Sequence, residues 1–252
     1  MIRKALFFAL VAAAAARAEP PSGSPVPAAR PDPSISAETS PEHAPAIPAD
    51  APSNSEGSPG VRTQLAESEE ELERCLVRLD TFGAKYARVD PVLDEGEDCG
   101  ILNPVQLTAP SPGVVLSTPA VLRCATALAV ATWTARHLQP AADALGRGAL
   151  TRLETGPGYQ CRGRNGDPTA DLSEHSFGNA LDVLAFHFAA GDPVIVEPRQ
   201  DDHTLAGAFQ QTARSSSCLF FTTVLGPGTN AAHANHLHLD IKERRGGYRL
   251  CE

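Results

Sequence analysis

The pattern of apolar and polar positions divides the chain into a stretch without periodicity and a part with regular elements. Residues 19–61 contain 11 of the 22 prolines, together with many Ser and Ala residues and few large aliphatic side chains. Such a segment cannot bury enough apolar surface to offset the entropy lost on ordering. Residues 19–63 are therefore predicted to be a disordered linker, and residues 64–252 to be the folded domain.

Three helices are predicted in the folded domain. Ser68 followed by Glu71 has the form of a capping box. The apolar positions that follow recur at helical spacing; they are Leu72, Cys75, Leu76 and Leu79. Residues 120–138 are rich in Ala and Leu and follow Thr118-Pro119, which favours a buried central helix that starts there and carries Trp133 in the core. Residues 201–215 favour the third helix.

Apolar runs with alternating or continuous character predict the strands. These are residues 85–89, 150–154, 179–188, 194–196 (a hairpin partner of the preceding run), 218–225 and 236–241, with short strand pieces and turns in 101–117. Strands and helices do not alternate regularly. The predicted fold class is therefore α+β, with a mostly antiparallel sheet and helices packed on one side.

The first 18 residues have the form of a secretory signal peptide. Arg3 and Lys4 precede an apolar run at 5–16, and Ala16-Arg17-Ala18 has the small-x-small form of a cleavage site. The apolar run is short for a membrane span, so cleavage after Ala18 is preferred to an uncleaved anchor. A periplasmic or secreted protein with no stable membrane insertion after cleavage is expected.

Charge and cysteine usage narrow the class of protein. The formal charge is −9, and it becomes −12 once the three basic residues of the signal are removed. Nucleic acid is not expected as a partner, because its phosphates would repel such a chain. Six cysteines, all after residue 74, contain no C-x-x-C pair, and an even count behind a signal favours disulfides over free buried thiols. Their pairing stays open.

Two short stretches carry candidate metal ligands. His175 and Asp182 lie seven positions apart in the first, and His236, His238 and Asp240 lie on one face of the last predicted strand. A catalytic zinc ion typically takes three N or O ligands and leaves one position for water. His175, Asp182 and one of the two histidines of the last strand would form such a set if the strands are neighbours. The alternative is that these histidines are satisfied surface or core groups.

These stretches also carry a family resemblance. The motifs are Tyr159-Gln-Cys-Arg162, Ser173-Glu-His-Ser-Phe-Gly-Asn-Ala-Leu-Asp182 and His233-Ala-Asn-His-Leu-His-Leu-Asp240. With the cysteine spacing, they resemble the bacterial extensin-like C-terminal domain family over about residues 70–252. That family looks like a branch of the superfamily of zinc D-alanyl-D-alanine peptidases, murein endopeptidases and Hedgehog domains. The resemblance therefore implies a Hedgehog/D-Ala-D-Ala-peptidase-like fold.

The resemblance also implies roles for individual residues. The zinc ligands would be His175, Asp182 and His238, and His236 would be the catalytic base or transition-state stabiliser. Substrate binding is implied for Arg162 and Ser173. The alternative for Arg162 is a surface arginine beside a disulfide. Apart from the resemblance, His233 and Asp240 are predicted to orient ligand imidazoles, and the alternative for His233 is a loop histidine without such a role.

One position departs from the related peptidases. They carry a catalytic Glu three residues before the last zinc His, where this chain has Asn235. An amide cannot act as a base, so the chemistry would rest on His236. The predicted function is an exported, monomeric, zinc-dependent hydrolase that cuts peptide bonds in the peptide stems of peptidoglycan. The alternative is a non-catalytic wall-binding module that keeps the fold, with or without the metal.

Overall fold

A computed structural model describes residues 60–94 and 98–252. The predicted signal peptide, and the predicted linker as far as residue 59, lie outside the described residues and stay predictions. Within the described part of the chain, no helix has the length and apolar character needed to cross a membrane.

Five α-helices form in the described residues. They are α1 (Val61–Gln64), α2 (Glu69–Thr81), α3 (Cys124–Trp133), α4 (Gln139–Leu145) and α5 (Leu205–Ser217). The predicted capping box is present, since the Ser68 side chain accepts from the Glu71 backbone N–H and the Glu71 side chain accepts from the Ser68 backbone N–H. Helix α2 buries the predicted apolar face. Trp133 at the end of α3 is fully buried, as predicted.

Twelve strands form in the same residues. They are β1 (Lys85–Arg88), β2 (Val92–Leu93), β3 (Gly100–Ile101), β4 (Pro104–Ala109), β5 (Val115–Leu116), β6 (Ala120–Arg123), β7 (Leu150–Thr155), β8 (Ala180–Phe188), β9 (Val194–Ile195), β10 (Thr223–Leu225), β11 (Leu237–Asp240) and β12 (Leu250–Cys251). The largest sheet has the order β12-β10-β11-β8-β7-β5, with β9 also paired to β8. A second sheet, β1-β4-β6, is antiparallel, and β2 pairs with β3.

The predicted α+β class is confirmed, with a qualification about the large sheet. Most of its pairs are antiparallel, but β10 with β12 and β5 with β7 are parallel, so this sheet is mixed. The parallel pairs arise at its two ends, where short strands join from distant parts of the chain. Such pairings depend on long-range contacts that local periodicity does not encode.

The central helix starts later than the sequence predicts. Residues Ala120–Arg123 form strand β6, which pairs with β4, and the helix begins only at Cys124. Ala120 and Leu122 are buried while the residues between and after them are half-buried, a period-2 pattern that fits a strand. Pairing with β4 outweighs the local helix signal of Thr118-Pro119. After α3, a π-helical turn at Thr134–Leu138 leads into α4.

Two other boundaries also differ from the prediction. The expected strand over 218–225 is confined to Thr223–Leu225, because the chain turns after α5 and donates backbone hydrogen bonds to Ser217. Helix α5 begins at Leu205, where the Thr204 side chain caps it, and not at residue 201.

Three disulfides use all six cysteines. They are Cys75–Cys124, Cys99–Cys161 and Cys218–Cys251. The prediction of disulfides is confirmed, and the alternative of free buried thiols is wrong. The first bond ties α2 to the start of α3, and the last ties β12 to the end of α5. The second joins Cys99, directly before β3, to Cys161 in the segment that carries Arg162.

A side chain at Gly178 should be more destabilising than one at Gly113. It adopts a φ of 66°, and a Cβ there would collide with the Ile101 side chain and lie 3.0 Å from the Arg123 backbone N. Gly113 has a φ of 80° but opens onto free space. Gly113→Ala should therefore cost about 1–2 kcal/mol for the left-handed backbone alone. Gly178→Ala should cost at least about 1 kcal/mol more, because overpacking adds to it.

Urea denaturation of both variants and the wild type measures the difference in unfolding free energy. Equal losses for the two glycines would contradict the close packing around Gly178.

Candidate metal centre

Strands β8 and β11 bring the two motif stretches together. They pair antiparallel, and the register sets His238 directly opposite Asp182. Because side chains alternate along a strand, the residues that flank this pair point to the other face. That face is fully buried in the core and consists of Leu181, Val183, Leu237 and Leu239. The apolar flanks thus fix the register, and the register places the polar pair.

A short turn delivers His175 to the same place. Residues Glu174–Phe177 form a 3-10 turn whose start is capped by Ser173, which accepts from the His175 backbone N–H. Gly178 ends the turn in the left-handed conformation, and its carbonyl accepts from the Arg123 backbone N–H at 3.0 Å. The chain reverses direction at this turn, so the His175 ring lies next to Asp182 although the two residues are seven positions apart.

The three side chains converge on one point. His175 Nε2 lies 3.2 Å from Asp182 Oδ1 and 3.2 Å from His238 Nδ1, and His238 Nδ1 lies 3.0 Å from Asp182 Oδ1. Atoms bound to one tetrahedral zinc ion at 2.0–2.1 Å lie about 3.3 Å apart. The triangle therefore has the size that a tetrahedral metal site requires. The sequence left open whether His236 or His238 is the third member, and in the structure it is His238.

The outer ring nitrogens of both histidines are already engaged. His175 Nδ1 lies 2.9 Å from the Gly158 carbonyl oxygen, and His238 Nε2 lies 3.1 Å from Asp240 Oδ2. A carbonyl and a carboxylate accept hydrogen bonds, so these outer nitrogens carry the protons. The inner nitrogens of the neutral rings then hold lone pairs directed at the shared point. This is the hydrogen-bonding pattern of metal-bound histidines.

The charges of the group also suit a cation. Burial would raise the pKa of Asp182, but hydrogen bonds with His175 and His238 outweigh it and hold that pKa well below its usual range. Burial would lower the pKa of His238, but hydrogen bonds to Asp182 and Asp240 raise it to about 9. Without a metal, a proton shared within the group balances the carboxylates. A bound metal ion would displace that proton.

His236 lies at the edge of the group and outside the triangle. Its Nε2 is 3.7 Å from Asp182 Oδ1, and its Nδ1 is 3.0 Å from the Asn235 side-chain oxygen. Asn235 Oδ1 can only accept, so Nδ1 carries the proton and Nε2 the lone pair. Burial lowers the pKa of His236, which favours this neutral form. Between the two roles expected for His236, the geometry favours a proton acceptor.

His233 and Asp240, both predicted to orient ligands, occupy different positions. Asp240 is 4% exposed and contacts the ring of His238 directly. His233 packs near His238, with ring centroids 5.7 Å apart, but its Nδ1 is 2.8 Å from Asn230 Oδ1. Burial and the neighbouring His238 and His236 lower its pKa to about 4. In the described residues, His233 therefore lines the site and makes no hydrogen bond to a ligand.

A cavity of about 440 Å³ opens over this group. It is lined by Arg162, Arg164, Asn165, Gly166, Ser173, Asp182, Leu225, Asn230, Ala232, His233, His236 and His238. The two predicted substrate-binding residues, Arg162 and Ser173, are both in the wall. The Ser176 hydroxyl fixes the Arg162 backbone, because it accepts from the Arg162 N–H and donates to the Arg162 carbonyl.

Two supporting features were missed by the sequence reasoning. The acceptor on His175 is the Gly158 backbone carbonyl, and no side chain signals such a role. Glu174, the residue before His175, is buried and accepts hydrogen bonds from Lys242 Nζ at 2.7 Å and from Asn179 Nδ2 at 2.9 Å. The signal in the sequence that could have indicated this network is an acidic residue directly before a candidate ligand histidine.

Fold and geometry together define an α+β domain with a His–Asp–His group that could hold a metal ion. The chain belongs to the family described as "Extensin-like protein C-terminus", whose model matches residues 73–252. This confirms the family resemblance inferred from the motifs. Searches of the curated proteins and of the solved structures gave no significant match.

Proposed function

We propose that this protein is an exported zinc-dependent hydrolase that cleaves peptide bonds in the peptide stems of peptidoglycan. One observation carries the proposal. The inner atoms of His175, Asp182 and His238 converge within 3.2 Å of one another while the outer ring nitrogens are held by Gly158 and Asp240. N and O donors in this arrangement suit zinc.

A bound zinc ion would polarise a peptide carbonyl and lower the pKa of a coordinated water to about 7. His236 offers the base that this reaction needs. Its Nε2 lies beside the metal group, 3.7 Å from Asp182 Oδ1, and Asn235 Oδ1, 3.0 Å from Nδ1, would keep the proton on Nδ1 and leave Nε2 free to accept one. Asn235, which cannot itself accept a proton as a base, would thus act by orienting His236.

Arg162 supports a substrate with a carboxylate. Its Nε donates to Gln160 at 3.2 Å, and its Nη groups have no protein acceptor among the described residues. A guanidinium at the wall of a cavity suits a two-pronged hydrogen bond to a carboxylate. Ser173, which caps the His175 turn, lies in the same wall and would position substrate and ligand together.

Cell-wall peptide is the substrate class that the motifs favour. They resemble those of zinc D-alanyl-D-alanine peptidases and murein endopeptidases, and a Hedgehog/D-Ala-D-Ala-peptidase-like fold belongs to the same proposal. Peptide stems of peptidoglycan offer carboxylates at their ends and along their length. The predicted signal peptide and the three disulfides fit a periplasmic or secreted location.

The test is digestion of intact muropeptides by the purified chain loaded with zinc, followed by mass spectrometry. Wild-type protein should shorten or split a peptide stem. His236→Gln should keep its zinc and lose about 10²–10⁴-fold in rate, the usual contribution of a general base. Cleavage by His236→Gln at the wild-type rate would remove His236 from the mechanism.

Two other results would change the proposal. A chain that holds zinc and cleaves no peptide stem would fit the non-catalytic wall-binding module instead. A wild-type chain that holds no zinc would remove both the ligand set and the hydrolase.

A further inference from the structure

We propose that Arg164 binds a second anionic group of the substrate, so that the cavity selects peptides that carry two carboxylates. This inference rests on the proposed hydrolase function, because it specifies the substrate class of that site. Nothing in the motifs singles out Arg164. It is distinguished by its place in the cavity wall beside Arg162.

The cavity is locally cationic in an acidic protein. The chain carries 30 acidic and 21 basic residues. Among the described residues that line the cavity, however, two are arginines and the single acid is Asp182. Asp182 faces the two ligand histidines, so its charge is balanced within the metal group. Of the two arginines, Arg162 has no acidic partner among the described residues, and Arg164 has only the exposed Asp171, so this wall favours an anionic ligand.

A hairpin-like arm holds both arginines on one wall. Residues 162–164 run against 171–173, with Ser173 N–H donating to the Arg162 carbonyl at 2.9 Å and Arg164 N–H donating to the Asp171 carbonyl at 3.0 Å. Residues two apart have Cα atoms within about 7 Å. The two guanidinium groups can therefore contact carboxylates on neighbouring units of one peptide.

The tip of the arm is a tight turn with local hydrogen bonds. Asn165, with a φ of 54°, is the only non-glycine residue with a positive φ among the described residues, and it lines the cavity with Gly166. The side chain of Asp167 accepts from the Thr169 backbone N–H at 2.8 Å and from its hydroxyl at 2.7 Å. The Arg164 backbone is fixed on both sides, since its N–H donates to the Asp171 carbonyl and its carbonyl accepts from the Asp167 N–H, both at 3.0 Å, so less backbone order has to be gained on binding.

Arg164 is available for a ligand. Within the described ranges it makes one ion pair, with Asp171 at 3.4 Å, and the two side chains are 49% and 81% exposed. Exposed pairs of this kind contribute little to stability. A substrate carboxylate could replace Asp171 with a small loss, whereas a buried pair would resist exchange.

The experiment measures binding of two matched probes to the zinc-loaded full chain by calorimetry. The probes are N-acetyl-D-Ala-D-Glu and N-acetyl-D-Ala-D-Gln, which differ by one carboxylate. Wild-type protein should bind the Glu probe about fivefold more tightly, the effect of one partly exposed charge pair. Arg164→Gln should remove this preference and leave the affinity for the Gln probe unchanged. Arg245→Gln, which changes the net charge equally in the exposed tail, should keep the preference.

The outcomes separate the two proposals. Three results would each overturn the role of Arg164. The preference for the Glu probe could survive in Arg164→Gln, the wild type could show no preference, or neither probe could bind. An Arg164-dependent preference in a chain that cleaves no wall peptide would support two-carboxylate recognition and overturn the hydrolase. Cleavage of muropeptides without an Arg164-dependent preference would leave the hydrolase and overturn this inference.

Discussion

His175→Ala should abolish zinc binding. The ring is fully buried and supplies one of the three converging ligand atoms. Loss of a hydrogen-bond partner of a ligand costs about 10–100-fold in metal affinity, and loss of the ligand itself should exceed that range. Metal analysis after dialysis should give about one zinc per wild-type chain and almost none for the variant.

Thermal stability gives an independent measure of the same effect. Zinc at about 100 times its dissociation constant should stabilise the wild-type chain by about 2.7 kcal/mol, and it should leave the melting temperature of His175→Ala unchanged. His203→Ala is the matched control, because His203 is exposed and lies outside the ligand group. That control should bind zinc like the wild type. Equal zinc binding by His175→Ala and wild type would disprove the assigned site.

Removal of the Cys99–Cys161 disulfide should weaken both the fold and the metal site. The bond closes a separation of 62 residues, so the double variant Cys99→Ala/Cys161→Ala should lose about 4 kcal/mol of unfolding free energy. Cys161 also lies between Gly158, whose carbonyl holds His175, and Arg162 in the cavity wall. Looser placement of this segment should lower zinc affinity about tenfold, as loss of a ligand's partner does.

The Cys218–Cys251 disulfide supplies the control for this prediction. It closes 33 residues, and its removal by two alanines should also cost about 4 kcal/mol. It joins β12 to the end of α5 and touches no residue of the ligand group. Urea denaturation should therefore show similar losses for both double variants, while chelator competition should show weaker zinc binding only for the first. The same zinc affinity in both would contradict the positioning role of Cys99–Cys161.

Local sequence signals correctly predicted the elements in which the spacing of apolar residues matches the side that is buried in the fold. The capping box and apolar face fixed α2, and the apolar run at 179–188 became β8. Alternation at 236–241 gave the face that His238 and Asp240 share in β11. In each case the buried side chains have the period of the element that they form.

Prediction failed where a distant partner decided the local conformation. Residues 120–123 have a helix-start signal, yet they pair with β4 as a strand. The run at 218–225 is apolar enough for a strand, but only Thr223–Leu225 find a neighbour in β11. Strand formation depends on cross-strand contacts more than on intrinsic preference.

The sequence by itself determined which residues can act as ligands and which faces they share. The types and spacing of His175, Asp182, His236 and His238, with the apolar residues between them, contain that information. Only the tertiary structure decided that His238, and not His236, completes the triangle, and that Gly158 holds His175. These choices follow from the register of β8 with β11 and from a backbone carbonyl 17 residues away. The apolar pattern of each strand restricts the register, but which two strands become neighbours, and which distant backbone carbonyl meets a side chain, depends on long-range contacts that local residue types do not encode.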